Sequence, residues 1–519
     1  MSNNSISKTD KYNLIYAIAL SFIFAAGIFI RLFFYLKNPP MYVDECLLAL
    51  NFMDNVNIFG PLENLQKAPL LFLLLSKLNL NLFGYSEYSC RLIPLIASII
   101  SIPFMHIAAS RFLDKKLAII IVDVLFVISP VLIFYSYVFK PYPSDVAIIC
   151  IFLIAAGNTK FYNDSYLKNI LIAVSFFVFS LFSYPVEFFI AAWILSMIPK
   201  CLDKEKFKKL SIYIITFLLS TSYCLYSFIF DNSTQSFVKY WPINETSCFI
   251  SLNLKSIVEV NLHNLNYYFF DKFLFNIPEN YQVLPYIVII ALFIILGIII
   301  FIVEKKKNYQ FILWVIILAH IASYLKLYPM AERMVLYQLP IILILLVKPI
   351  DFLFANIKRL IKTRKFLLFS AYLCFILVFI SSFTPYYVNY LNYFKHNIYL
   401  SNEISPKDVV KYIIENKSKN SEIIAIGYST ATARFYYKTF ANDDKIIIFK
   451  DYTDINENTR FSYISNTFTK LNKNKTYWIY PMFMEDKDCK NIIIKYLKNN
   501  NIKYEEIKYH NNSLIKMYL

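Results

Sequence analysis

The stretch LIYAIALSFIFAAGIFIRLFFYL, residues 14–36, contains one charged residue and follows two lysines, Lys8 and Lys11. A helix crosses the hydrocarbon layer of a membrane with about 20 mostly apolar residues, so this stretch is long enough to span it. It is longer than the apolar core of a signal peptide, and no small-residue cleavage site follows it. We therefore expect a retained signal anchor, which is also the first transmembrane helix.

Similar apolar stretches recur along most of the 519 residues, and 58% of the chain is hydrophobic. This recurrence excludes a soluble multidomain protein. The predicted fold class is an α-helical polytopic membrane protein with about eleven transmembrane helices. The predicted spans are residues 14–36, 89–110, 117–137, 142–158, 168–183, 185–199, 210–230, 284–303, 310–325, 334–347 and 366–384.

The net charge of +17 could indicate a nucleic-acid partner. Proteins that bind nucleic acid cluster basic residues on a solvated face, whereas here they lie mostly in short loops between the apolar stretches. Every second loop is basic, as residues 305–307 and 358–365 illustrate, and such a bias marks loops that stay in the cytoplasm. The sequence therefore predicts a multi-pass protein with a cytoplasmic amino terminus, in contact with membrane lipid and without a nucleic-acid partner.

This orientation divides the chain into a transmembrane domain, residues 1–386, with external loops at 37–88 and 231–283, and an extracytoplasmic domain, residues 387–519. Within the first loop, Pro69–Phe83 is apolar but too short to span, so we expect a helix on the membrane surface or dipping into it. In the carboxyl-terminal part, short apolar strips alternate with helical stretches, which predicts a small α/β domain.

The most specific local feature is the pair Asp44-Glu45, which follows Pro39 and Pro40 just after the first span. Two adjacent carboxylates at the outer membrane boundary suit a general base. Taken alone, the pair is more simply interpreted as solvated loop acids, because carboxylates are common in loops.

The sequence KPYPSD, residues 140–145, places Lys140, Tyr142 and Asp145 where one span ends and the next begins. A charged side chain at the centre of a spanning helix costs about 2.5 to 3.5 kcal/mol, so such residues usually mark a polar cavity. The alternative is a structural ion pair between Lys140 and Asp145.

Further charged residues lie at the same outer level. For each of them alone, a side chain that extends to the membrane interface is the simpler explanation, but as a set they indicate one outward-facing cavity. They are Arg31, Lys67, Arg91, Glu187, Glu332 and Arg333.

Other polar residues favour structural roles. Asp123 lies inside a span within reach of Lys115 or Lys116, which predicts a structural pair. The histidines have no carboxylate or histidine at metal-ligand spacing, and the eight cysteines form no CxxC pair. The sequence therefore predicts no metal site.

Four stretches, in this order, resemble the GT-C type of polytopic membrane glycosyltransferases, which use lipid-linked sugars and include bacterial aminoarabinose and protein O-mannosyl transferases. They are YVDECLLALNFMD (42–54), QKAPLLFLLLSKLNLNLFGYSEYSCRLIPL (66–95), SPVLIFYSYVFKPYPSD (129–145) and LYPMAERMVLYQLPIILIL (327–345). The resemblance covers most of residues 25–350. Residues 405–437 also look like the external domain of many members.

The resemblance implies roles for individual residues. Asp44 matches the catalytic base of the family, and Glu45 its neighbour in the usual Asp-Glu pair. Lys67 stands where aminoarabinose transferases have a basic residue that contacts the lipid phosphate. Lys140, Tyr142 and Asp145 match a Lys-Pro-Tyr motif with its following Asp, and Arg333 matches the Arg after a Tyr-Pro pair. Asp44 and Glu45 are therefore the expected catalytic residues. The expected substrate-binding residues are Lys67, Arg91, Lys140, Tyr142, Asp145, Glu187, Glu332 and Arg333.

The predicted function is transfer of a monosaccharide from a polyprenyl-phosphate donor to a lipid, glycan or protein acceptor of the cell envelope, on the outer face of the bacterial cytoplasmic membrane. Such a reaction needs a base for the acceptor hydroxyl and cations for the departing phosphate. A single carboxylate base implies inversion, because double displacement needs a second placed nucleophile. No cofactor is expected; a divalent metal could replace some cationic groups, but no ligand cluster supports one.

Three alternatives remain open at this point. A structural or scaffold membrane protein would leave the Asp44, Lys140 and Arg333 group unexplained and would tolerate their replacement. A flippase or transporter of lipid-linked sugars would have internal repeats and charges near the bilayer midplane, which the sequence lacks. A polymerase or ligase of lipid-linked glycans would have paired arginines in a long external loop, and residues 231–283 contain none. We also hypothesise an ordering step near Tyr240–Glu245 when the donor binds.

Overall fold

The computed structural model describes residues 8–64, 66–158, 163–201, 203–229, 249–270, 283–304, 310–330, 332–362, 406–427, 430–441, 446–449, 461, 464–466, 468–482, 487–509 and 512–519. The predicted span at 366–384 and the hypothesised ordering step at Tyr240–Glu245 lie outside these residues.

The described part before residue 363 is helical. Its α-helices are α1 (Lys8–Lys37), α2 (Val43–Met53), α3 (Leu70–Phe83), α4 (Glu87–Phe112), α5 (Lys116–Val127), α6 (Pro130–Ser136), α7 (Tyr142–Asn158), α8 (Tyr166–Phe182), α9 (Val186–Met197), α10 (Lys204–Ile229), α11 (Leu254–Phe270), α12 (Leu284–Glu304), α13 (Gln310–Tyr324) and α14 (Leu339–Lys362). Short 3-10 helices follow α9 at Ile198–Lys200 and precede α14 at Glu332–Gln338.

Helices occur at all the predicted spans that the structure describes, so the polytopic membrane fold is confirmed. Among the described residues, five helices are long and apolar enough to cross a membrane, or six if α5 and α6 form one bent span. Five more apolar helices are shorter, and the number eleven is therefore not confirmed. The span expected at 117–137 is bent by 50°, because α5 ends at Val127 and Pro130 starts a new helix.

The two external loops of the sequence prediction contain helices. Helix α3 occupies the expected surface helix almost residue for residue and ends at Gly84, whose φ of 74° suits glycine. The predicted external loop 231–283 contains a helix, α11, at Leu254–Phe270. Its buried residues Val260, Asn264, Tyr267 and Tyr268 follow helical spacing, and this face packs into the bundle.

Two groups of buried ionisable side chains inside the bundle are paired. The predicted pair between Asp123 and Lys115 or Lys116 is wrong. Oδ2 of Asp123 instead lies 2.7 Å from Nδ1 of His106. The facing helix α4 supplies this closer partner, because the two lysines lie about two helical turns away.

A second buried group lies at the end of α4 remote from Arg91. The Lys348 ammonium is fully buried, 2.9 Å from the Asp351 carboxylate and 3.1 Å from Glu304. Asp351 also accepts hydrogen bonds from the backbone N–H groups of Asp114 and Lys115. This group ties α14 to α12 and to the turn between α4 and α5.

The carboxyl-terminal residues form the expected small α/β domain. Its elements are α15 (Pro406–Asn416), β1 (Ser421–Gly427), α16 (Thr430–Ala441), β2 (Ile446–Phe449), β3 (Thr476–Met482), α17 (Lys487–Asn499), β4 (Lys503–Tyr509) and β5 (Asn512–Tyr518). The strand order is β2-β1-β3-β5-β4, with β2, β1 and β3 parallel and β5 antiparallel to both of its neighbours. The sequence missed β4 because KYEEIKY is charged, as edge strands often are. The domain boundary at 386/387 remains a prediction.

Candidate active site

The two acids of the Asp44-Glu45 pair lie in the first turn of α2, where the helix dipole favours negative charge. Successive residues of an α-helix point about 100° apart, so the two side chains have different surroundings. The Glu45 carboxylate is fully buried, whereas the Asp44 side chain is 37% exposed. Only Asp44 therefore faces a space that a substrate can enter.

Every acceptor position of the Glu45 carboxylate is occupied. Arg91 of α4 donates to both oxygens, over 2.9 and 2.8 Å. The backbone N–H of Phe139 donates to one oxygen over 2.6 Å, and that of Tyr42 to the other over 2.9 Å. A carboxylate has about four acceptor sites, so these four bonds saturate it. This environment suits a positioning role better than proton transfer, and the catalytic role of Glu45 remains a prediction.

Arg91 anchors the segment that leads into α2. Besides its bonds to Glu45, it donates to the carbonyl oxygens of Pro39 and Pro40. Because Arg91 is 1% exposed and paired on all sides, it holds the chain rather than a ligand. Its predicted substrate-binding role would be indirect.

Asp44 meets two cations from distant parts of the chain. A guanidinium nitrogen of Arg333, in the 3-10 helix before α14, lies 2.8 Å from its Oδ2, and Nζ of Lys140 lies 4.0 Å from the same oxygen. Lys140 belongs to the turn between α6 and α7 and donates to Oε1 of Gln66 over 2.6 Å. The alternative ion pair between Lys140 and Asp145 is therefore wrong.

These contacts shift the acidity of both partners. Burial raises the pKa of Asp44, but Lys140 and the hydrogen-bonded Arg333 outweigh it, so the net pKa lies below its ordinary value. Burial lowers the pKa of Lys140 to about 8, although Asp44 counteracts the shift. At neutral pH the cluster therefore holds a carboxylate and two cations.

Tyrosines line the same space. The Tyr142 ring packs edge-on against Tyr135 with centroids 5.0 Å apart, and the Tyr135 hydroxyl lies 2.7 Å from that of Tyr267. Tyr142, Tyr135 and Tyr267 lie near enough to Arg333 to interact with it electrostatically. The guanidinium is 33% exposed, so its environment is polar and partly open.

The fold was compared with known proteins. No protein-family model matches the sequence, and no curated protein matches it significantly. Among solved structures, ArnT from Cupriavidus metallidurans, in the apo state and bound to undecaprenyl phosphate, aligns over 99% of both chains with TM-scores of 0.52 and 0.51 and 11% identity. A second similar structure is the archaeal oligosaccharyltransferase AglB from Archaeoglobus fulgidus, in complex with an inhibitory peptide and a dolichol-phosphate. The alignment covers 91% of this chain and 70% of the AglB chain, with 10% identity and a TM-score of 0.51.

The chain has the GT-C fold. The resemblance read from four stretches of sequence is thereby confirmed at the level of the fold.

A cavity lies beside the acid-base cluster of this GT-C chain. Lys67 and Gln66 line it together with aromatic residues from the α8–α9 turn and from α10, and Gln66 also bonds Lys140. Tyr184 closes one side, because its hydroxyl donates to the carbonyl of Ala68. The other residues that line the cavity are Ile58, Phe59, Gly60, Pro61, Leu62, Leu73, Tyr223, Tyr226 and Ser227.

Three predicted acids have other surroundings. Asp145, 7% exposed, lies next to the Ser183 hydroxyl, and its Oδ1 has no hydrogen-bond partner among the described residues. Glu187 accepts from Thr221 Oγ1 over 2.7 Å. Glu332 lies 3.5 Å from His263, and its backbone N–H donates to the side-chain oxygen Oδ1 of Asn264. The site roles of these acids, and of Lys67, remain predictions.

Sequence reasoning missed three residues of the site. Gln66 precedes Lys67 in one of the family-like stretches, and its proximity to a lysine was the available signal. Tyr135 lies six residues after Ser129, in another of those stretches. Tyr267 lies in α11, within the segment that was predicted to be an external loop, so no sequence feature indicated it.

In the described part of the chain, no group of three or more His, Cys, Asp or Glu side chains could hold a metal ion. Turnover without a metal, or with weak aid from one, therefore stays a prediction.

Proposed function

We propose that the chain is a membrane glycosyltransferase that moves a monosaccharide from a polyprenyl-phosphate donor to a lipid, glycan or protein acceptor of the cell envelope. The observation that carries the proposal is the partly exposed Asp44 carboxylate held against Arg333 and Lys140. The undecaprenyl phosphate bound to ArnT and the dolichol-phosphate bound to AglB support a donor of this class.

In the proposed reaction Asp44 takes the proton of the acceptor hydroxyl as its oxygen attacks the anomeric carbon. The bond between that carbon and the phosphate oxygen breaks, and polyprenyl phosphate leaves. A carboxylate of lowered pKa stays ionised near neutral pH, so it is ready to accept the proton. Attack and departure on opposite faces of the carbon invert its configuration.

Arg333 and Lys140 stabilise the departing phosphate. Arginine forms charge-assisted bonds to phosphate, and each cation placed where charge develops lowers the barrier. The donor phosphate competes with Asp44 for Arg333. Binding of donor thus releases an Asp44 oxygen for the acceptor, which couples donor binding to activation of the base.

The proposed location is the bacterial cytoplasmic membrane, with a cytoplasmic amino terminus and the site on the outer face. Basic loops between the predicted spans support this orientation. Asp44, Lys140 and Arg333 come from three regions that this orientation assigns to the same face, and they lie in contact.

The decisive experiment measures release of undecaprenyl phosphate from a panel of undecaprenyl-phosphate monosaccharides by purified protein with a crude envelope acceptor. We expect release from one donor by wild type and loss of release in Asp44→Asn. Glu63→Gln, an exposed acid between α2 and α3, is the matched control and keeps wild-type release. No release from any donor would contradict the proposal and favour a flippase.

A further inference from the structure

The C-terminal α/β domain touches the segment that carries Asp44. The hydroxyl of Tyr436, in α16, accepts a hydrogen bond from the backbone N–H of Met41 over 2.9 Å. Both residues are buried, with 1% and 2% exposure. A buried N–H needs an acceptor, so Tyr436 completes the hydrogen bonding of this segment from outside the helix bundle.

The other end of α2 is held by charge. Asp54, which caps the helix, pairs with Arg434 over 2.9 Å and also with Lys438. These two cations stand one turn apart on α16, a spacing that lets both reach one carboxylate. A further ion pair, Lys407 to Glu87 over 2.7 Å, joins α15 to the start of α4.

The contact between the two parts is also apolar. One continuous buried cluster contains side chains from both α2 and the C-terminal α/β domain. Its members include Cys46, Leu48 and Phe52 of α2, Val409 and Ile413 of α15, and Phe435 and Tyr436 of α16. Such a core-like contact transmits a fixed position, because packed interiors do not deform continuously.

The segment before Asp44 is therefore held from two sides. Arg91 binds the carbonyls of Pro39 and Pro40, and Tyr436 binds the N–H of Met41. We infer that Tyr436 is a positioning residue for Asp44. The C-terminal α/β domain acts on the reaction by holding α2 where Asp44 contacts Lys140 and Arg333. The inference rests on the proposed role of Asp44 as the base.

The test compares Tyr436→Phe with Tyr437→Phe in the full-length protein. Tyr436→Phe keeps the aromatic ring and removes only the hydroxyl that accepts the hydrogen bond from the Met41 backbone N–H. Tyr437→Phe, at the neighbouring position, removes a hydroxyl that accepts a hydrogen bond from Lys417. We expect Tyr436→Phe to lower kcat by about tenfold to a hundredfold, because small misplacements of a catalytic group are costly. Tyr437→Phe keeps wild-type kcat.

A pH profile separates positioning from mere loss of folded protein. If Asp44 moves away from Lys140 and Arg333, its pKa rises towards the ordinary value, so the acidic limb of kcat/KM shifts to higher pH in Tyr436→Phe. A smaller folded fraction would scale the profile without shifting it. An unshifted limb with wild-type kcat would overturn the inference. Asp54→Asn is a second variant and should shift the limb in the same direction.

Hydrogen exchange tests the coupling without any assay of transfer. We expect faster exchange at residues 41–46 in Tyr436→Phe and unchanged exchange in Tyr437→Phe. Unchanged exchange in both would overturn the inference. If wild type transfers no sugar from any donor, the proposed function fails, and this exchange arm still decides whether Tyr436 holds the segment.

Discussion

The Arg333 guanidinium lies 2.8 Å from the Asp44 carboxylate, although one residue belongs to the second helix and the other to the 3-10 helix before α14. Both side chains are about one-third exposed, so the pair is open to a ligand on one side. A closed ion pair would be structural; an open one can exchange its partner for a phosphate.

Replacing Arg333 with alanine should lower kcat/KM for transfer by about a hundredfold to a thousandfold, because one donor to developing charge is removed. Arg333→Lys should recover only part of the rate, since lysine cannot form two parallel bonds to phosphate. The measurement is undecaprenyl phosphate release at several donor concentrations. Arg111→Ala, an exposed arginine at the far end of α4, is the control; equal losses in both variants would contradict a specific role.

The rate should fall as pH rises through about 8, where Lys140 loses its proton. A lysine is cationic below its pKa, so its stabilisation of the phosphate is present at pH 7 and lost above about 8. The profile of kcat/KM reports the free enzyme and is the quantity to measure. In Lys140→Arg the basic limb should move to higher pH, because arginine stays charged; an unchanged limb would assign it to another group.

Glu45→Gln should destabilise the protein by about 3 to 5 kcal/mol, because it leaves the buried Arg91 without its counter-charge. Thermal unfolding in detergent measures this loss, and Glu63→Gln should show none. If Glu45→Gln instead kept wild-type stability and lost all transfer, Glu45 would act in the chemistry, contrary to its saturated hydrogen bonding.

Lys348→Ala should also destabilise by about 3 to 5 kcal/mol, since Asp351 would remain buried without its cation. The Lys348–Asp351 group lies at the end of α4 remote from Arg91 and the candidate active site. The KM of the folded fraction for the donor should therefore not change. Lys255→Ala, which breaks a surface pair with Glu259, is the comparison and should cost less than about 1 kcal/mol. Equal unfolding temperatures for the two variants would contradict this assignment.

Sequence alone predicted the parts of the fold that hydropathy controls. Long apolar stretches mark membrane helices because unpaired backbone groups are too costly in lipid. It also named Asp44, Lys140, Tyr142 and Arg333, which the structure brings together. Alternating basic loops supplied this grouping, since they assign distant segments to one face.

The rest depended on packing that no local pattern encodes. Asp44 and Glu45 look equivalent in sequence, and only a helix starting at Val43 separates their directions. His106 and Asp123 meet because α4 and α5 are neighbours, a fact of tertiary structure. Helix α11 was hidden because the exposed residues Lys255, Glu259 and His263 lower the mean hydropathy of the segment.

The Asp44–Arg333 pair has a consequence for biogenesis. A chain inserted from its amino terminus exposes Asp44 early, but Arg333 arrives only after α12 and α13 have been made. A ribosome-bound or truncated chain that ends before residue 332 therefore carries Asp44 without Arg333. The proposed transfer activity would then begin only late in synthesis, after Arg333 has been added and can reach Asp44.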